Sequence, residues 1–327
     1  MPSLKLLTRE DIPEDALTVS PTQVQLFDRC NYKWHLTHQE KAKEFTVATG
    51  KMQLGSMAHL LLQEYYRHFL HKPVENLDSQ QLTDLMEKVQ AENGLTDYDS
   101  QLLFFNAYTV FITYMRWAER SERLIPLGVE VETFAPTGLV TAAKYGRRPI
   151  YLHGIIDLHA ENKGGVPGIA DHKTHTNRPW TSEQILFDTQ MLFYPLLLGL
   201  QGAECEWTMI NTLNMYLPKK DVTASLQREE RFQRFLIKTE SLNVQRYQEE
   251  LFKIIEKMWC TPGYKYTRRL DRYCSGCGFA EICGSHLRGF DTDELIETKF
   301  SETTMKVEEF DAESILEGAE GSYPSLP

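Results

Sequence analysis

Between Gly128 and Thr174 the chain changes its apolar period, and that change limits the folds open to it. Upstream, apolar residues recur at helical spacing. Here they alternate in Gly128–Phe134 (GVEVETF), Pro149–Ala160 (PIYLHGIIDLHA) and Val166–Thr174 (VPGIADHKT), with a turn at Asn162–Gly165 (NKGG) between the last two. A period of two belongs to half-buried strands. A helical run follows at Ser182–Gly199, which Pro195 should kink or bound, and then a buried strand at Glu206–Leu217. Strand–strand–strand–helix–strand in this order asks for an α/β fold, a mixed central sheet flanked by helices.

Around this block the chain reads as helix. Ser20–Leu36 opens with Ser20 as cap, Pro21 in the first turn and Gln23 where a capping box needs it, and Cys30 falls in the same run. Gly50–Leu70 is a glycine-bearing turn entering a second helix, with His59 in its first turns. Residues 71–127 continue the helical spacing, and their aromatic stretch 101–117 offers either a buried helix face or a stacking surface. Later come a strand candidate at Glu230–Lys238, an amphipathic helix at Thr239–Trp259 and an irregular cysteine-rich segment at Gly263–Arg288. The expected organisation is an N-terminal helical region (1–127), a core (128–262), a cysteine-bearing segment (263–290) packed against the N-terminal region, and an acidic tail (291–327). The tail's composition favours disorder, a short docked helix being the other reading.

The formal charge of −11 argues against a polyanionic partner until its distribution is read. Residues 291–327 hold eleven acidic residues against Lys299 and Lys306, so residues 1–290 are close to neutral. A near-neutral body leaves room for a local basic groove. No run approaches the roughly 18 apolar residues of a membrane span, and the N-terminus lacks the apolar stretch of a secretory signal. A cytoplasmic protein with no membrane contact is expected.

Two carboxylates close apolar strand runs: Asp157 in GIIDL and Asp171 in IADHKT. Lys173 lies two residues beyond Asp171 and so shares its face, while the His172 side chain points away. Hard divalent cations such as Mg²⁺ and Mn²⁺ take carboxylate oxygens. A neighbouring ammonium steadies charge on a phosphate. Together these groups match what in-line hydrolysis of a phosphodiester requires. An Asp-x-Lys alone is usually an exposed strand pair, but charged groups that end apolar runs are less expected of a plain surface.

Disulfides are not expected among the six cysteines of a cytoplasmic chain. Cys274, Cys277 and Cys283 form C-x2-C-x5-C, three ligands of a metal site in need of a fourth, which Cys30, Cys205 or Cys260 can supply. Read from residues alone, four thiolates favour zinc.

GIIDL followed by IADHKT resembles motifs II and III of the PD-(D/E)XK nucleases, and more narrowly of their RecB-type branch. That branch includes AddB-like and CRISPR-associated exonucleases and phage-encoded relatives. Two further motifs agree: His59 in GSMAH resembles the branch's N-terminal histidine, and Gln190 and Tyr194 in QMLFY resemble its Q-x-x-x-Y helix, sharing one face at i, i+4. The resemblance covers roughly residues 18–288.

It implies that Asp157, Asp171 and His59 ligate Mg²⁺ or Mn²⁺, with the backbone carbonyl of His172 as a further ligand. Lys173 becomes the catalytic lysine, with Gln190 and Tyr194 beside it and near the DNA. Glu130 and Glu132, on the preceding strand, would support the ligands from behind or be surface strand charges. The branch's iron–sulfur members place one cysteine before the core and three after it, so Cys30, Cys274, Cys277 and Cys283 would hold a [4Fe–4S] cluster, with Zn²⁺ as the alternative. Such a cluster would staple the two ends of the chain together, leaving Cys205 and Cys260 as small buried residues.

The function implied is a metal-dependent DNA exonuclease acting on single strands or DNA ends, with a helicase or recombination protein as partner. The alternatives are an inactive DNA-binding or end-recognition module and a zinc-stapled interaction protein.

Overall fold

The alternating stretches build a six-stranded mixed sheet with helices against it. It is seen in a computed structural model, which describes residues 5–42, 50–121, 124–176, 179–217, 226 and 231–300. In chain order the elements are β1 (Leu17–Val19), α1 (Pro21–Arg29), α2 (Asn31–His38), α3 (Gly50–His68), α4 (Ser79–Glu92), α5 (Tyr98–Ser121) and β2 (Ile125–Val140). Next come β3 (Pro149–Glu161), β4 (Pro167–His175), α6 (Ser182–Leu186), α7 (Gln190–Gly199) and β5 (Trp207–Asn214). β6 (Phe232–Lys238), α8 (Val244–Ile255), α9 (Ala280–Leu287) and α10 (Asp293–Lys299) complete the described chain.

The strands lie in the order β1-β3-β4-β5-β6, and β2 also pairs with β3. The β3–β4 and β5–β6 pairs are antiparallel, and the β1–β3 and β4–β5 pairs are parallel. A parallel pair needs a crossover, which α6 and α7 supply between β4 and β5. Gly168 faces Trp207 across that pair, and a Cβ there would lie 2.1 Å from the indole. The absent side chain lets Trp207 lie on the strand and donate its Nε1–H to the Val166 carbonyl at 2.9 Å.

Three local readings change. The helix expected over Ser20–Leu36 breaks at Cys30, whose backbone is extended (φ −158°, ψ 99°). Its Sγ accepts from the Lys33 amide at 3.4 Å, so a cysteine caps the second piece. The run Ser182–Gly199 breaks at residues 187–189, and Pro195 lies inside α7. There its missing N–H costs one hydrogen bond, at the Met191 carbonyl early in a buried helix. The acidic tail begins with a helix, α10, followed by the buried Phe300. Residues 301–327 of that expected tail lie outside the described residues.

The chain divides into two compact units of interleaved segments. One draws on Thr49–Thr133 and Ile155–Val244. Its core packs Leu61, Tyr65 and Tyr66 of α3 and Phe104, Phe111 and Tyr114 of α5 with Leu158, Ala170, Met209 and Leu213 of the sheet. The aromatic stretch 101–117 is thus chiefly a buried helix face, and the hydroxyls of Tyr66 and Tyr114 pair inside it at 2.8 Å.

The other unit draws on Met1–Ala48, Phe134–Gly154 and Gln245–Glu308. It holds a small core of Leu36, Ala42, Phe279, Ile282 and Phe300, with the Phe279 and Phe300 rings 5.7 Å apart. Trp34 packs edge-on against both Phe27 (5.3 Å) and Trp259 (4.9 Å). Among the described residues no helix is long and apolar enough to cross a membrane.

Candidate metal centre

Leu158 pairs with Ala170 across the β3–β4 ladder, and one step further along each strand stand Asp157 and Asp171. The ladder's next place is taken by a side chain: Asp157 Oδ2 accepts the His172 amide at 2.8 Å. A carboxylate fixed by a backbone N–H in a sheet is held more rigidly than one on a loop. Alternation then turns Asp171 and Lys173 to one face and the His172 ring to the other. His172 is 4% exposed and stacks on Tyr66 at 5.3 Å, with its Nδ1 3.4 Å from the Asn211 amide. Burial holds its pKa well below the usual value, so this ring stays neutral.

His59 arrives from α3 through a close approach. A Cβ at Gly55 would lie 2.8 Å from Thr174 Oγ1, so the glycine lets α3 press onto β4. One turn later His59 Nδ1 is 3.7 Å from Asp157 Oδ2. Burial lowers the His59 pKa, against a rise from the nearby Asp171 charge and the His172 backbone. His59 and the Asp157 carboxylate therefore meet beside the strand that carries Asp171. Glu130, expected at most behind the ligands, joins them: donor atoms of His59, Glu130 and Asp157 all lie within 4.8 Å of one another.

Lys173 is held from several sides. Its ammonium is 2.8 Å from Asp171 Oδ2 and 3.5 Å from Asp188 Oδ2, and it donates to Gln190 Oε1. Gln190 passes the contact on, its Nε2 donating to the Tyr194 hydroxyl at 2.9 Å. The Q-x-x-x-Y face thus reaches the lysine. Asp188 is the residue that the sequence reading missed. It lies in the break before α7, where its Oδ1 also accepts the Gln190 amide at 2.9 Å. The only sequence signal was an acidic residue two positions before the glutamine, at a helix start.

Burial dominates the electrostatics. It pushes the Asp171 carboxyl up to about 7, with the Asp157 charge adding to the rise. It pushes Asp157 up to about 6 against the pull of the His172 amide, Glu130 adding to the rise. Burial alone would lower Lys173, but Asp171 and Asp188 outweigh it and the net shift is upward. The centre is therefore a set of buried, mutually repelling carboxylates beside one firmly charged ammonium, chemistry that a divalent cation relieves. A cavity of about 760 Å³ opens on it, lined by His59, Glu130, Asp157, Gln63 and His175 among others.

The cysteines belong to the other unit. Cys30 stands at the break between α1 and α2, Cys274 and Cys277 at a 3₁₀ turn (Arg272–Gly276), and Cys283 on α9. Burial raises the Cys283 pKa against the Arg268 guanidinium, whose charge and hydrogen bond lower it, and Cys277 and Cys30 add smaller rises. Cys30, far upstream in the sequence, therefore lies near the Cys277–Cys283 segment. Cys274 shares a turn with Cys277, whose amide its carbonyl accepts at 3.2 Å, but its own Sγ lies 3.2 Å from the Arg269 carbonyl, and among the described residues no three of these thiols lie within metal-holding distance of one another. Cys205 lies in the first unit, with Sγ 3.5 Å from the Trp207 carbonyl, and burial pushes its thiol up to about 12.

The family model described as the PD-(D/E)XK nuclease superfamily matches residues 18–284. Among curated proteins none matches the chain. Of solved structures, the crystal structure of SSO0001 is similar at 13% identity, covering 84% of this chain and 88% of that one with a TM-score of 0.37. Scheffersomyces stipitis Rai1 in complex with (3'-NADP)+ and calcium ion is similar at 11% identity, over 69% and 61% of the two chains, with a TM-score of 0.18. No activity is assigned from either structure.

Proposed function

Because this chain belongs to the PD-(D/E)XK nuclease superfamily, we propose that it is an Mg²⁺- or Mn²⁺-dependent deoxyribonuclease of the RecB-type branch, acting as an exonuclease on single strands or DNA ends. One observation carries the reading: ligand atoms of His59, Glu130 and Asp157 lie within 4.8 Å of one another, and Asp171, paired with Lys173, is close enough to feel the Asp157 charge. The donor set of imidazole, carboxylates and a strand carbonyl suits a divalent cation. His59, Asp157, Asp171 and the His172 carbonyl would hold it, and when bound it would supply Lewis-acid stabilisation of the phosphate.

The chain's own groups do the rest. Lys173 keeps its proton, so it serves as a donor to a phosphate oxygen or an attacking water and not as a base. Asp171, Asp188 and Gln190 fix where that ammonium points. Tyr194 holds the Gln190 amide in place.

Cys30, Cys274, Cys277 and Cys283 are proposed as a tetrathiolate set on the C-x2-C-x5-C spacing and on Cys30 and Cys277 lying near Cys283. They would hold a [4Fe–4S] cluster, with zinc as the other occupant of such a set. Its role would be structural, joining the first helices to the cysteine-rich segment within one unit.

The test is anaerobic purification, iron and zinc analysis, and incubation with end-labelled single- and double-stranded DNA in Mn²⁺ or Mg²⁺. Stepwise shortening by the wild type and none by Lys173→Ala is the expected result. DNA binding without cleavage in either metal would sink the nuclease reading in favour of a binding module. A colourless protein with zinc in place of iron would sink the cluster.

A further inference from the structure

β2 does not keep the alternation that its sequence promises. In GVEVETF, Glu130 and Glu132 should share one face, yet Glu132 is exposed while Glu130 is half-buried among His59 and Asp157. Gly128 and Val131, an odd number of residues apart, should face opposite ways. Instead a Cβ at Gly128 would lie 2.5 Å from Val131 Cγ2. Between them Glu130 has a left-handed backbone (φ 50°). A strand that breaks its alternation around a residue of positive φ has the mark of a β-bulge, and bulges re-aim side chains. A non-glycine residue in this conformation is strained. Glutamate is not among the residues that visit the region readily.

The other donors leave room for such a residue. Asp157 Oδ2 is engaged by the His172 amide, and Asp171 Oδ2 by the Lys173 ammonium. The side that remains is where the cavity opens, and there Glu130 lies beside His59 and Asp157. We propose that Glu130 is a direct ligand of the divalent cation, aimed into the centre by a β-bulge whose backbone cost is kept for binding and not for folding. The inference rests on the metal-dependent reading above and adds a ligand to it.

Isothermal titration of the cation-free, full-length protein with Mn²⁺ tests it, paired with thermal unfolding in the absence of Mn²⁺. Glu130→Gln is expected to bind Mn²⁺ at least about 10-fold more weakly, and Glu130→Gly equally so. Glu132→Gln, one alternation further along, keeps wild-type affinity. Glu130→Gly also relieves the left-handed backbone, so its melting temperature without Mn²⁺ is expected at or above that of the wild type. Wild-type Mn²⁺ affinity in Glu130→Gln overturns the proposal. So does weaker binding joined to a lower melting temperature in Glu130→Gly, because Glu130 would then serve the fold. Absence of Mn²⁺ binding by the wild type itself would instead sink the metal-dependent reading beneath it.

Discussion

The two units hold their reactive groups in opposite ways. In the unit with the acidic centre, His59, Asp157, Asp171 and Lys173 stand on a helix and two strands of the sheet, above a broad aromatic core. In the unit with the four cysteines, thiols sit at a helix break, on a 3₁₀ turn and on a short helix, beside a core of five fully buried apolar residues. The first arrangement is pre-organised and carries stored repulsion. The second is loosely braced and gains its order from whatever the thiols bind. One site is therefore expected to cost the fold stability, the other to supply it.

Asp171→Asn presses hardest on this difference. Cleavage should fall by at least about 10³-fold, while the cation-free protein becomes more stable by on the order of 5 °C. The sign follows from protonation. In the fold Asp171 keeps its proton up to about 7, against an ordinary 3.8, so stability is greatest at low pH and declines as pH rises between those values. Binding of Mn²⁺ should run the other way, weakening as pH falls through about 7 and about 6, where the two carboxyls take up protons. A lower melting temperature for cation-free Asp171→Asn at neutral pH would erase the contrast.

Cys277→Ser probes the other unit. Bound iron should be lost, and that unit's unfolding transition should fall by more than about 10 °C. Limited proteolysis should then cut within residues 265–290 and spare 155–214. Unchanged iron per chain would remove this ligand, and equal destabilisation of both units would blur the comparison.

The smallest effect is expected at Asp188→Asn, which leaves the lysine one charged partner fewer. A fall of about 10-fold in kcat with unchanged Mn²⁺ affinity marks a positioning residue, and wild-type kcat would remove that role.

Much of this was legible in the sequence wherever period and chemistry coincide. Asp157 and Asp171 close apolar strand runs, and Gln190 and Tyr194 share a helical face, so a linear pattern maps directly onto a surface. The losses occur where the backbone leaves its period. Glu130 is hidden by a bulge that reverses the alternation, and Asp188 by a three-residue break that pattern reading placed at Pro195 instead. α10 is concealed by acidic composition, because its apolar side is short: Leu295, Ile296 and Phe300, the last seated on Phe279. Cys30 reads as a helix interior residue until its thiol is found capping the next helix.

The interleaving of segments also sets an order of assembly during synthesis. Thr49–Thr133 and Ile155–Val244 are translated before Gln245 appears, so the ribosome has delivered the whole described acidic-site unit while the cysteine unit still lacks its last stretch. At about 5–20 residues per second, Cys30 waits on the order of 10–50 s for Cys283 to be made. A nascent chain thus carries a finished anionic pocket and an exposed, unsatisfied thiol at the same time, and its vulnerability to oxidation is concentrated in that interval.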